Sequence, residues 1–283
     1  MKRSLYTIAD EEFATLLERA HAAFAAKGMK YMLVGGVATQ AHIISNLCRS
    51  GKTLMDFVVD PKFRLQDFLR ATDDVDITLS PEKNGELMTP EEKVKYAEKV
   101  FSVLDEIVGD KTTYGHGLVM SPTDEHLVAI SLERKGLARP VFMLGLDSEP
   151  TGDKTVSFNL FKGPEDTNPR WGNDIVEFER RFYDDFMNRG VELKIPFSDG
   201  KDIALRVKKV EDLLATKIIR GRDKDLGDTL SLARHSERAG TPIDYEAIRR
   251  LLSSNDPKYD QPNLSFVEKF EKFMNIKDSY RGE

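Results

Sequence analysis

The sequence predicts an α/β (α+β) fold: a mixed sheet flanked by helices over residues 1–200, then a helical C-terminal region over 201–283. Three observations carry this. A short apolar run, Tyr31-Met-Leu-Val34, ends in Gly35-Gly36 and leads into a helical pattern. A second run, Asp74 to Leu79, alternates polar and apolar residues with period two. From Val210 onward the apolar spacing is helical to the end.

In chain order, Phe13, Leu16, Leu17, Ala20 and Phe24 recur at helical spacing, so residues 10–27 read as an amphipathic helix that Gly28 stops. Tyr31 to Val34 reads as a buried strand, broken by Gly35-Gly36, and Val37 to Leu47 as a helix. Arg49 to Leu69 has no clean period and includes Asp60-Pro61, which makes residues 48–68 an irregular insertion. Val75, Ile77 and Leu79 alternate with Asp74, Asp76 and Thr78 in a half-buried strand that Ser80-Pro81 closes. Thr89-Pro90-Glu91-Glu92 starts a helix whose stripe is Val94, Ala97, Phe101, Leu104 and Val108. Strand candidates follow at 127–131, 141–144, 156–161, 175–178 and 191–195, with a loop over 162–173.

Composition narrows the function. The chain's 283 residues, 40% of them hydrophobic, support one large domain or two modest ones. A net charge of −6 argues against a nucleic-acid binder that uses its whole surface, while leaving room for a local basic strip. Cys48 is the only cysteine, which excludes an intramolecular disulfide and a cysteine-based zinc site. The basic N-terminus runs into a charged helix, which is unlike a secretory signal, and no apolar run approaches the ~20 residues that cross a bilayer. The expectation is a cytoplasmic protein with no membrane partner.

The chemistry concentrates in two places. A strand that ends in Gly-Gly and enters a helix lets backbone N–H groups approach a phosphate, although the same pair also makes an ordinary tight turn. Asp74 and Asp76 point to one side of their strand, ~7 Å apart, and repel unless solvated or bridged by a cation. Such hard oxygen ligands suit Mg²⁺ with substrate phosphates completing the shell; the alternative is a strand edge facing solvent. Arg70 and Thr72 add a cation and a hydroxyl just upstream. On the C-terminal side, Lys217 shares a helix face with Leu213, Leu214 and Ile218. Its ammonium needs an anionic ligand, an ion pair with Asp225 or Asp228, or a route to solvent. Ser50-Gly-Lys-Thr53 imitates the end of a P-loop, but Asn46 stands where that motif needs its first glycine. Leu79 likewise stands where a calcium loop needs its turn glycine.

Together these segments resemble the polymerase-β-like nucleotidyltransferase superfamily. The resemblance covers two blocks, residues 31–79 and 207–232. Leu33-Val-Gly-Gly-Val-Ala and Arg70-Ala-Thr-Asp-Asp-Val-Asp-Ile match the first signature. The Arg-x-Thr-x-Asp-x-Asp form is similar to that of minimal nucleotidyltransferases and of AbiEii/AbiGii-type toxins of type IV toxin–antitoxin systems. Glu211-Asp-Leu-Leu-Ala-x-Lys217 with Arg222-x-Lys-Asp225-x-x-Asp228 looks like the second signature.

The resemblance implies an Mg²⁺-dependent transfer of a nucleoside monophosphate from a nucleoside triphosphate to a hydroxyl acceptor. Asp74, Asp76 and a third carboxylate, Asp174 with Glu177 as the alternative, would form a two-metal site. Gly35, Gly36, Arg70, Thr72, Lys217 and Asp225 would hold the nucleotide. The implied acceptor is RNA such as tRNA, or protein, with a cognate antitoxin as partner. The alternatives are an aminoglycoside-type small acceptor or a non-catalytic nucleotide-binding relative. For an RNA acceptor, Lys208, Lys209, Arg220, Arg222 and Lys224 would supply the basic strip.

Overall fold

A computed structural model describes residues 7–65, 68–72, 75–79, 114–120, 127–134, 140–145, 182–254 and 264–279, together with Phe178 and several helical residues between 95 and 107. Among the described residues seven strands form one mixed sheet in the order β3-β4-β5-β2-β1-β7-β6. They are β1 Tyr31–Leu33, β2 Val75–Leu79, β3 Tyr114–Met120, β4 Leu127–Arg134, β5 Pro140–Gly145, β6 Val191–Ser198 and β7 Lys201–Val207. The helices are α1 Glu11–Ala26, α2 Gly35–Cys48, α3 Leu54–Val59, α4 Tyr183–Arg189, α5 Val210–Arg220, α6 Asp223–Arg238, α7 Tyr245–Ser253 and α8 Leu264–Ser279. None of the described helices is long and apolar enough to cross a membrane.

The sheet is built around β1, whose three residues are all buried, as the apolar run requires for a strand with neighbours on both sides. It pairs antiparallel with β2, Leu33 opposite Ile77, and parallel with β7, Leu33 opposite Val207. β2 in turn runs parallel to β5, with Asp76 opposite Met143. One end of the sheet therefore gathers the C-terminal ends of β1 and β7, the N-terminal end of β2, and the helices α2 and α5 that follow β1 and β7.

The α1 stripe is buried as expected: Phe13, Leu16, Leu17, Ala20 and Phe24 are in the core, and the helix packs on β7. Asp10 caps it by accepting from the Phe13 amide at 3.0 Å. Burying a side chain such as Phe24 contributes about 2–3 kcal/mol. Val100, Val103 and Ile107 are buried helical residues within the segment expected to be helical, whose expected start at Thr89-Pro90 lies outside the described residues. The five stripe residues named for that segment lie outside the described residues, as does the 156–161 strand.

Three expectations need correction. The insertion is not wholly irregular: Thr53 caps α3 in a capping box with Asp56, and Leu54 and Phe57 are buried. The P-loop look-alike is thus a helix stop followed by a helix start, with Gly51 in the left-handed region at φ +85°. Residues 201–207 are not helical. They form β7, joined to β6 through the two-residue turn Asp199-Gly200, with Ser198 opposite Lys201 and Gly200 at φ +73°. The C-terminal helices therefore begin at Val210. Finally, Phe178 is helical rather than part of a 175–178 strand. Phe178, Phe182 and Phe186 stack at intervals of four, with ring centroids 5.1 and 5.9 Å apart, which is a helical stripe.

Candidate functional site

The site lies at the sheet end just defined. The Val34 amide donates to the Asp76 carbonyl at 3.0 Å, extending the β1–β2 ladder by one rung and setting Asp76 beside the start of α2. Gly35 is the first residue of that helix and has φ +61°, a conformation other residues rarely adopt. A Cβ on Gly35 would overlap Asp76 Oδ2 and lie 3.2 Å from its Cγ. A Cβ on Gly36 would lie 2.8 Å from Thr72 Oγ1, 3.0 Å from Thr72 Cβ and 3.6 Å from an Arg70 guanidinium nitrogen. The two glycines are therefore the first turn of the helix rather than a turn before it. Their missing side chains make room for Asp76, Thr72 and Arg70. Val34 provides no side-chain cap, so the partial positive charge of the helix end faces this cluster without a capping side chain from that residue.

The segment carrying Arg70 and Thr72 is held from two sides. On α2, the buried Gln40 donates from Nε2 to the Arg70 carbonyl at 3.0 Å, and its Oε1 accepts from the Ile8 amide at 2.9 Å. On α6, Ser231 Oγ donates to the Phe68 carbonyl at 3.2 Å, and His235 meets the Phe68 ring edge-on at 5.2 Å. Asp228 completes the hold: its two carboxylate oxygens accept from Arg70 Nε and Nη2, each at 3.1 Å. This is the bidentate geometry that fixes both distance and plane.

The same Asp228 carboxylate accepts from Lys217 Nζ at 2.7 Å. Lys217 also lies 3.6 Å from Asp225 Oδ1. Asp225 accepts from Arg222 Nε at 2.6 Å and Nη2 at 3.2 Å. The chain Arg70–Asp228–Lys217–Asp225–Arg222 alternates in sign, with three cations and two carboxylates. Burial alone pushes the Asp225 carboxyl up. The Arg222 hydrogen bonds and the charges of Lys217, Arg222 and Arg220 outweigh that and hold it below its ordinary value. Both ion pairs open to Lys217 from the sequence, with Asp225 and with Asp228, are formed.

On the other side of α2, the buried His42 donates from Nε2 to the Lys208 carbonyl at 2.8 Å, pinning the helix to the end of β7. Burial holds His42 below its ordinary pKa, against the opposing effect of that carbonyl and of Glu211, and keeps it neutral. Lys208 itself is buried, with Nζ donating to Thr216 Oγ1 at 2.7 Å and lying 4.1 Å from the Phe186 ring centroid. It cannot belong to a solvent-facing basic strip. Lys209 pairs with Glu211 at 3.3 Å and Arg222 with Asp225, so those two positive charges are also locally balanced.

Of the residues expected at the site, Gly35, Gly36, Arg70, Thr72 and Asp76 meet directly, and Lys217 and Asp225 join them through Asp228. Asp74, Asp174 and Glu177 lie outside the described residues. Among the described residues no three His, Cys, Asp or Glu gather to hold a metal ion. Sequence reasoning left out Gln40 altogether and named Asp228 as an ion-pair partner for Lys217 and a member of the second signature, but not as the residue that holds Arg70. A signal for Asp228 was present: Asp225 and Asp228 are three apart on α6 and so share a face. Nothing local marked Gln40, because its partners come from distant segments.

No protein-family model matches the chain. No curated protein matches it either. Among solved structures it is similar to an antigenic nucleotidyltransferase-like protein from Paracoccidioides brasiliensis, at 16% identity over 96% of this chain and 90% of that one, with a TM-score of 0.39. At that score the likeness is too loose to assign any residue a role.

Proposed function

We propose that the protein is an Mg²⁺-dependent nucleotidyltransferase that moves a nucleoside monophosphate from a nucleoside triphosphate to a hydroxyl acceptor. The observation that carries this reading is the meeting of two separate signatures: Gly35-Gly36 meet Arg70, Thr72 and Asp76 at the start of α2, and the Lys217 helix joins them through Asp228. In the reaction the acceptor oxygen bonds to the α-phosphorus. The bond from that phosphorus to the bridging oxygen breaks, pyrophosphate leaves, and the acceptor proton passes to a carboxylate.

The donor set fits a hard divalent cation, since Asp76 presents a carboxylate where Gly35 leaves no side chain and the two other expected ligands are also carboxylates. Asp74, Asp76 and Asp174, with Glu177 as the alternative to Asp174, would hold it. When bound, Mg²⁺ would screen the phosphate charge and favour ionisation of the acceptor hydroxyl. Gly35 and Gly36 let Asp76 and Thr72 sit against the first turn of α2, so that the triphosphate meets these side chains beside the helix N-terminus, and the cations of the ion chain offset its charge. Asp174 takes up the acceptor proton.

The proposed acceptor is RNA such as tRNA, or protein, which suits the toxin of a cytoplasmic toxin–antitoxin pair with a cognate antitoxin as its partner. The test is incubation of the purified protein with each α-labelled nucleoside triphosphate, Mg²⁺ and total tRNA. Label should transfer, and Asp76→Asn should abolish the transfer. Triphosphate binding without transfer to RNA, to protein or to an aminoglycoside would sink the enzyme reading and leave a non-catalytic nucleotide-binding protein. Transfer to an aminoglycoside alone would replace the toxin reading with small-molecule modification.

A further inference from the structure

Lys217 is the residue that the second signature aims at the phosphates, yet its side chain is 3% exposed while that of Arg70 is 39% exposed. Lys217 Nζ is held between two buried carboxylates, 2.7 Å from Asp228 and 3.6 Å from Asp225. Turning it toward a ligand would strip buried Asp228 and Asp225 of a counter-charge that the interior needs. Arg70, in contrast, stands 3.6 Å from the position a Gly36 Cβ would take, at the start of α2. Its guanidinium plane is set by the two 3.1 Å bonds to Asp228 and by a 3.3 Å bond from Nη1 to the Ala71 carbonyl. The Asp228 pair takes one N–H each of Nε and Nη2 and the Ala71 bond one of Nη1, so the second N–H groups of Nη1 and Nη2 form the edge that a phosphate would meet, in a plane already fixed.

We infer that Arg70 is the cation that contacts the phosphates of the ligand, and that Lys217 is a positioning residue acting through Asp228, the carboxylate the two share. The inference rests on the nucleotidyltransferase reading and changes the division of labour within it. Lys217 and Asp225 fix Asp228; Asp228 fixes the Arg70 plane; Arg70 meets the anion. Gln40 supports the same residue from behind by holding its carbonyl.

The test is calorimetric binding of inorganic tripolyphosphate with Mg²⁺, a probe free of base preference. Arg70→Gln should weaken binding by on the order of tenfold or more. Lys217→Met should weaken it in the wild-type background but by less than about twofold once Arg70→Gln is present, because the two act as one unit. Equal losses from Lys217→Met in both backgrounds, or full binding by Arg70→Gln, would overturn the inference. If Lys217→Met does not fold, Asp228→Asn replaces it and keeps the side chain's shape. It should weaken binding only while Arg70 is present. Tighter binding on removal of the Asp228 charge would mean that Lys217 is released to the ligand, and the inference fails. If the wild-type chain binds neither tripolyphosphate nor any nucleoside triphosphate, the nucleotidyltransferase reading fails as well. Binding retained by both wild type and Arg70→Gln removes the inference alone.

Discussion

Gly35 and Asp76 are packed so closely that a methyl group on the glycine would occupy the space of the carboxylate oxygen Oδ2. The contact joins the first turn of α2 to the strand that bears Asp76, one of the expected metal ligands. It gives the glycine a purpose beyond its φ of +61°.

Gly35→Ala should therefore act twice. The left-handed backbone costs about 1–2 kcal/mol for a residue with a Cβ. The methyl also pushes the Asp76 carboxylate from its place. Nucleotidyl transfer should fall by on the order of tenfold or more, a larger loss than the stability change alone accounts for. Chemical denaturation alongside the label-transfer assay separates the two effects. An alanine variant with wild-type transfer would refute the importance of this contact.

Gly36 has an ordinary helical conformation, so its constraint is purely steric, set by Thr72 Oγ1 at 2.8 Å and Thr72 Cβ at 3.0 Å from the would-be methyl. Gly36→Ala should destabilise the chain by about 1–3 kcal/mol through overpacking. Adding Thr72→Ala removes the nearer atom and should recover part of that loss. A double-mutant cycle in urea measures the coupling. Strictly additive losses would show that the two residues do not meet in solution.

The shared carboxylate makes Asp228 more sensitive than either of its partners. Asp228→Ala leaves the buried Lys217 with Asp225 alone, at 3.6 Å, and removes the anchor of Arg70. The expected loss is about 3 kcal/mol, the lower end for a broken buried pair, because Asp225 remains. Arg70→Ala should cost less, since its side chain is partly solvated and Lys217 still neutralises Asp228. Urea unfolding midpoints should rank wild type, Arg70→Ala and Asp228→Ala in that order, and the reverse order would contradict the network.

Acid should destabilise the chain through two histidines. Burial, followed by the charges of Arg238 and Arg234, holds His235 down to about 4 from its ordinary 6.5. Burial also lowers His42. In the folded state these rings resist protonation, whereas in the unfolded state they accept a proton below 6.5. Stability is thus full above pH 6.5, falls as the pH drops toward 4, and levels off below the folded value for His235. Discounted for partial screening, the His235 share is about 2 kcal/mol. Unfolding free energies at pH 7.5 and 5 should differ in this direction, and His235→Gln should narrow the gap. An unchanged gap in that variant would show that His235 does not titrate as described.

Much of the sheet end can be read locally. Tyr31 to Leu33, Val75 to Leu79 and the apolar stripes of α1 and α5 each carry their periodicity within a few residues, and the strand and helix formed where that pattern runs. Other elements are marked by turn and cap residues or by a short aromatic stripe rather than by a longer apolar period. Asp199-Gly200 marks the β6–β7 hairpin, Thr53 with Asp56 marks α3, and the phenylalanines at 178, 182 and 186 mark a helix.

By itself the sequence determined which segments are strands and helices around the site, and which residue types stand at their ends, because periodicity, caps and breakers act over one or two turns of chain. It left open whether Gly35-Gly36 was a plain turn and which of Asp225 and Asp228 Lys217 would meet. Tertiary structure decided both. The β1–β2 register brings Asp76 against Gly35, and the packing of α6 brings Asp228 to Arg70 across 158 residues of chain. Those meetings depend on strand register and helix packing summed over the whole core, which no local window contains. They turn the glycine pair into the space that Asp76 and Thr72 occupy, and Lys217 into a buried partner of two carboxylates.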